Sequence, residues 1–224
     1  MKEVKQRKLI NNFYTLGEEI FSSITHGIGA LLGIAALVLA VVFAAIYGDA
    51  MGVVSAAIYG STMIIMYTMS TLYHALTHKT AKKIFRIFDH CSIFLLIAGT
   101  YTPYTLVTLR GAIGWVLFGL VWASAILGII FNSINMEKYK KFTMASYIVT
   151  GWVIIFAIKP LINNMKTGGI ILLLAGGVLY TLGVIFYKIK IPYAHPIWHL
   201  FVLSGSVCHF FSILLYVLPT DLLK

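Results

Sequence analysis

Two histidines four residues apart, His195 and His199, stand where Lys188 and Lys190 give way to a run of about twenty apolar residues. On a helix this spacing puts both imidazoles on one face, with Cβ atoms roughly 6 Å apart. Ionisable rings entering a bilayer are costly, and they mark a metal or proton role. Chemistry-bearing residues recur at comparable positions elsewhere. Ser70 and His74 close one apolar run, and Asp89 and His90 open the next, just after Arg86. With the nearest basic residue as a surface marker, His74, Asp89 and His195 lie ~5–7 Å deep and His199 ~13 Å. Three neutral imidazoles, His74, His195 and His199, form a nitrogen site that suits a single Zn2+ ion, and a fourth position left to water makes such a site catalytic in type. Asp89 is then placed to hold and deprotonate that water. Ser70, one turn deeper than His74 on the same face, could hydrogen-bond Asp89 or polarise a substrate carbonyl.

The other ionisable residues have plainer readings. His78 reads as a polar residue of the membrane interface. His90 points about 100° away from Asp89 on a helix, which suits support of the site or simple packing. His209 lies fourteen residues beyond His195, ~21 Å along the axis, too far to share an ion, and reads as a buried hydrogen-bonding residue. Glu19, Ser22 and His26 share one face of the first apolar run. An acid there must be paired or neutral, and the partner of Glu19 is expected on another helix, with packing support as the role of this face.

These residues have to be positioned by membrane helices. The chain has 224 residues, 60% hydrophobic and 11% charged, with a mean hydropathy of +0.92, more apolar surface than a soluble domain of this size can bury. A span takes roughly 20 residues at 1.5 Å each. Seven candidates follow, at about 20–47, 51–77, 84–108, 111–132, 141–160, 168–187 and 194–218, in a single all-α membrane domain. The first residues are basic but have no apolar core, so no cleaved signal peptide is expected. The net charge of +10 comes from 17 Lys and Arg that lie almost wholly between the apolar runs. That pattern flanks membrane spans and excludes a nucleic-acid surface. With the N-terminus in the cytoplasm, the inner segments carry thirteen Lys and Arg and the outer ones four, so the positive-inside rule puts the N-terminus inside and the C-terminus outside. Cys91 and Cys208 fall within apolar runs and read as small core side chains rather than a disulfide.

Five segments taken together, Glu19-x2-Ser22-x3-His26, Ser70-x3-His74, Phe85-Arg86-Ile87-Phe88-Asp89-His90, Ala98-Gly99-Thr100-Tyr101-Thr102-Pro103 and His195-x3-His199, resemble the hemolysin III family. That family lies within the wider group of progestin and adipoQ receptors and, more remotely, alkaline ceramidases. The resemblance covers essentially the whole chain. It implies a bacterial, multi-pass cell-membrane protein with seven helices, an inside N-terminus and a zinc ion held by His74, His195 and His199, with Asp89 and Ser70 as the neighbouring acid and serine. Ser22 departs from the pattern, standing where the family usually has Asn.

Three functions compete at this point. The first is an intramembrane zinc-dependent hydrolase of a lipid amide or ester, with membrane lipids as substrate. The second is a sensor or receptor-like protein that keeps the same ligands as a structural clamp. The third, pore formation and cytolysis, finds no amphipathic spans to support a continuous path. A retinal protein would need a lysine within residues 194–218, which hold none, and a G-protein-coupled receptor would have the opposite orientation.

Overall fold

A computed structural model describes residues 14–220, so the basic N-terminal residues counted for the orientation lie outside the described part. The chain is all helical there: α1 (Leu16–Tyr47), α2 (Ala50–Ala75), α3 (Lys79–Pro103) continued by a π turn (Tyr104–Thr108), α4 (Ala112–Trp152), a 3-10 segment (Val153–Ala157), α5 (Ile158–Asn164), α6 (Thr167–Lys188) and α7 (Ala194–Tyr216). Six helical stretches among the described residues are long and apolar enough to cross a bilayer, with the α4–α5 stretch, Ala112–Asn164, counted once. The outward faces carry large apolar side chains such as Leu31, Val38, Leu120, Val149 and Phe156. The polar residues are inside. Ser55, Ser70, His199 and Ser212 are fully buried, the inversion expected of an integral membrane protein whose solvent is hydrocarbon.

The expected spans at 111–132 and 141–160 are joined in one helical stretch, and Asn135 interrupts it. Its backbone (φ −161°, ψ 91°) is extended, not helical. Two side-chain pairs show what the chain does there. Thr143 donates to Asn132 Oδ1 at 3.0 Å, and Ser124 and Thr150 share a hydrogen bond at 2.8 Å. Residues 124 and 150 on a straight helix would be ~39 Å apart, so the two arms of α4 fold back on one another. The other observed ends differ modestly from expectation: α1 starts at Leu16 and α3 at Lys79. Thr15 caps α1 in a reciprocal box with Glu18, which satisfies two end groups and sets the early start. His78, expected at the interface, caps α3 by accepting from Ala81 N–H at 3.4 Å.

Consecutive helices pack side by side from α1 to α4, α6 packs along α7, and α7 returns against α1. Contact between α4 and α6 is sparse, and an internal cavity of about 140 Å³ opens there between α3, α4, α6 and α7. Beside it the helix tightens into its 3-10 turn, and the Tyr101 hydroxyl mends the break. It accepts from Ile154 N–H and donates to the Gly151 carbonyl, both at 2.9 Å. The end of α3 is shaped similarly. Pro103 has no N–H to donate, and the Thr100, Thr102 and Thr105 hydroxyls bond back to backbone carbonyls around it. Cys91 and Cys208 are both free thiols.

Gly128 on α4 lies directly under the buried Phe94 ring, so an added Cβ would meet that ring, whereas nothing lies within 4 Å of a Cβ at Gly119 on the same helix. Gly128→Ala should therefore lower the thermal midpoint in detergent, by an overpacking cost of about 1–3 kcal/mol. Gly119→Ala should leave it unchanged or slightly raised; equal effects would contradict the packing described.

Candidate functional site

α2 delivers His74 one residue before its C-terminus, and α7 delivers His195 and His199 from its first two turns. All three are buried. His195 Nε2 lies 3.2 Å from His74 Nε2 and 3.1 Å from His199 Nε2, and one ring nitrogen from each falls within 4.8 Å of the others. Two nitrogens on a tetrahedral zinc with bonds of 2.0–2.1 Å would stand roughly 3.3 Å apart. The ring spacing therefore has the dimensions of a ligand set.

The far side of each ring decides the tautomer. His74 Nδ1 donates to Glu19 Oε2 at 2.7 Å, and His199 Nδ1 to the Ser22 carbonyl at 3.4 Å. Carboxylate and carbonyl oxygens only accept, so in the neutral rings Nδ1 carries the proton and Nε2 presents its lone pair. His195 Nε2 faces both lone pairs and has at most one proton to offer. At least one lone pair in this buried cluster is thus left opposite another nitrogen, an arrangement that costs free energy unless a cation sits among them. With the Tyr14 hydroxyl, 3.0 Å away, taking the Nδ1 proton of His195, all three lone pairs converge. Three buried neutral imidazoles, each oriented by an outer hydrogen bond, can bind a divalent metal ion.

Glu19 has a second partner. Its Oε1 lies 3.0 Å from Lys82 Nζ, and that ammonium also donates to the carbonyls of His74 and Leu76 at 3.4 and 3.3 Å. The partner of this acid is on other helices, α2 and α3, as expected, but its role is orientation of a ring rather than packing. Burying the acid is tolerable because lysine compensates its charge. Tyr14 stacks on His195 with ring centroids 4.3 Å apart. His26 stacks on His199 at 3.7 Å and is nearly parallel to it. Both nitrogens of His26, and the hydroxyls of Ser22 and Ser70, are buried without a hydrogen-bond partner.

Asp89 is buried on α3, with its Oδ2 3.6 Å from His90 Nδ1. It lines the cavity together with His26, His90 and Trp198, and Trp198 in turn packs against the rings of His195 and His199. Ser70 makes no bond to Asp89, contrary to one of its two expected roles. His90 also donates to the Arg86 carbonyl at 2.9 Å. His209 is far from the cluster and donates to the Leu173 carbonyl at 3.0 Å, as a buried hydrogen-bonding residue should. Sequence reasoning missed Tyr14, Lys82 and the contact of His26 with the histidine cluster. For Lys82, a lysine lying past the end of α2 reads as an ordinary surface cation.

Removing the Glu19 carboxylate should loosen His74 and strand Lys82. Glu19→Ala is expected to weaken metal binding by about 10–100-fold, the usual loss for an outer partner of a ligand. Glu19→Gln, which keeps an acceptor, should lose less, and His195→Ala/His199→Ala should abolish binding. Zinc competition titration of purified protein measures all three.

A family model described as "Haemolysin-III related" matches residues 14–210. The chain is 50% identical over 204 residues to "Hemolysin-3" of Bacillus cereus, covering 91% of this chain and 93% of that protein. It is 46% identical over 212 residues to "Hemolysin-3 homolog" of Bacillus subtilis (strain 168), covering 94% and 100%. A more distant relative is human "Monocyte to macrophage differentiation factor", 31% identical over 169 residues, 71% of this chain and 69% of that one. The helical membrane architecture, the buried three-histidine cluster and these matches together place the chain in the haemolysin-III related family.

Proposed function

We propose that this protein is a zinc-dependent hydrolase of a lipid amide or ester, working inside the membrane on a substrate that enters sideways from the bilayer. The observation that carries the reading is the convergence of three histidine Nε2 atoms beside a cavity that has Asp89 in its wall. Zinc held there would supply Lewis acidity, polarising a carbonyl and lowering the pKa of water.

The chain's own residues divide the remaining work. The cavity runs along α3 from Asp89 to Tyr101, ~18 Å by helical rise, and between its ends the walls are largely apolar, with Ile93, Leu96, Ile97 and Val184 among them. An acyl chain laid there excludes water and brings its carbonyl to the Asp89 end. Asp89 takes a proton from the attacking water and returns it to the leaving group. Ser70, which has a buried hydroxyl and no partner, donates to the carbonyl oxygen as charge develops on it. Tyr14, Glu19 with Lys82, and the Ser22 carbonyl hold the rings in place.

The two arms of α4 are read as two antiparallel spans that meet at Asn135, which gives seven spans in all. On this reading, which the charge count supports, the N-terminus, Asn135 and the histidine cluster lie at the inner face of a cell membrane. In a variant without native cysteines, Glu137→Cys should react with impermeant thiol reagent only from the cytoplasmic side and Asp49→Cys only from outside. The reverse pattern would overturn the orientation.

Asp89→Asn keeps the side chain's size and removes the base. Hydrolysis of a lipid amide or ester by zinc-loaded protein should fall at least about 100-fold, the lower range for loss of a general base, with zinc content unchanged. Undiminished hydrolysis in Asp89→Asn, or no hydrolysis of any lipid amide or ester by the wild type, would refute the catalytic reading. Zinc retained without hydrolysis would leave the ligands as a structural clamp.

A further inference from the structure

A second, smaller pocket adjoins the cavity. The two share His90, Met144, Tyr147 and Tyr187 as walls, and the second adds Arg86, Asn132, Glu137 and Lys140. The character of the lining changes over a short distance. The main cavity is largely apolar, whereas a guanidinium and an ammonium are among the residues lining the second pocket. Arg86 is one turn before His90 on α3, ~6 Å toward the helix start. Lys140 comes from the second arm of α4, just past the Asn135 turn.

Two features give this mouth a preference for negative charge. Among the residues lining this second pocket, which Asp89 does not join, the one acid, Glu137, is paired with Arg86 at 2.9 Å, so the Lys140 ammonium, which has no acidic partner within salt-bridge distance among the described residues, leaves one excess positive charge. Asn132 is buried, and its carbonyl oxygen is taken by Thr143 at 3.0 Å, yet its amide nitrogen, which faces the Tyr147 hydroxyl and the Cys91 thiol, makes no hydrogen bond of normal length. A buried N–H without an acceptor is costly, and here the donor belongs to a residue lining the pocket.

We propose that this mouth binds the anionic headgroup, a phosphate monoester or carboxylate, of a single-chain lipid whose chain lies in the cavity. The proposal rests on the reading of the cavity as an acyl site and names the substrate class. Lys140 supplies the charge, the Asn132 amide a directed donor, and the shared walls at His90 and Tyr187 join headgroup to chain. A lipid so placed has its headgroup linkage beside Asp89. A neutral lipid of the same length fills the cavity but leaves the Asn132 donor unmet.

The test uses ether lipids, which carry no ester or amide, so that binding is read whether or not the protein hydrolyses anything. Full-length protein in a neutral maltoside detergent is titrated with 1-O-hexadecylglycerol 3-phosphate, with 1-O-hexadecylglycerol and with inorganic phosphate. The phosphate lipid should bind about tenfold tighter than the neutral one, the scale of one or two charge-assisted hydrogen bonds. Lys140→Glu should remove most of that preference while leaving the neutral lipid's affinity unchanged. Lys140 is exposed, so this variant tests the mouth without disturbing the core. Asn132→Leu, which also breaks the bond to Thr143, should reduce the preference as well, and retained binding of the neutral lipid shows that it is folded. Equal affinity for the two lipids, or a preference that survives Lys140→Glu, overturns the proposal. So does displacement of the phosphate lipid by millimolar inorganic phosphate, which would make the mouth a site for the free anion.

Discussion

The structure depends on three neutral imidazoles being held point to point in a place water does not reach. Each ring has one nitrogen committed outward, to Glu19, Tyr14 or the Ser22 carbonyl, and one turned inward. Outward bonds fix the rotation of each ring, and that rotation makes the inward nitrogens converge. Without a cation the centre is frustrated, because there are too few protons for the lone pairs present. The same arrangement that would destabilise an ordinary core is what a metal site requires, and the cluster ties the ends of α2 and α7 to each other and to the start of α1.

The Glu19–Lys82 pair extends this tie to α3. Glu19 receives a ring N–H on one oxygen and an ammonium on the other, so the charge of the acid is balanced across three helices. A carboxylate without that lysine would be an isolated buried charge, and a lysine without the acid would be another. The site's polarity is therefore contained within it, and the surrounding faces can be apolar toward lipid. His26, pressed flat against His199, and Trp198, against two of the rings, close the remaining sides and form part of the cavity wall.

The cavity exists because α4 does not close against α6 as the other neighbours close on each other. Tyr101, Thr100 and Thr102 make the gap affordable by satisfying backbone groups where helices bend or tighten. Polar walls at one end and apolar walls along the length give the space a direction, and that direction runs from the histidine cluster into the bundle.

Much of this was legible in the chain itself. Hydrocarbon imposes its own length and composition on a spanning helix, so the apolar runs announced a membrane bundle. A histidine in such a run is costly enough that His74, His195 and His199 stood out, and the four-residue spacing put the last two on one face. The pairing of Glu19 off its own helix followed from the same cost. What only the tertiary structure decided is what depends on side chains from remote helices meeting at angles that no spacing encodes. Tyr14 stacks on a ring 181 residues away, Lys82 turns from a surface position into the core, and His26 lies on His199. The break between the runs at 111–132 and 141–160 was legible, and only its place at Asn135 waited for the structure; the cavity has no sequence signature because it is the space several helices leave unfilled.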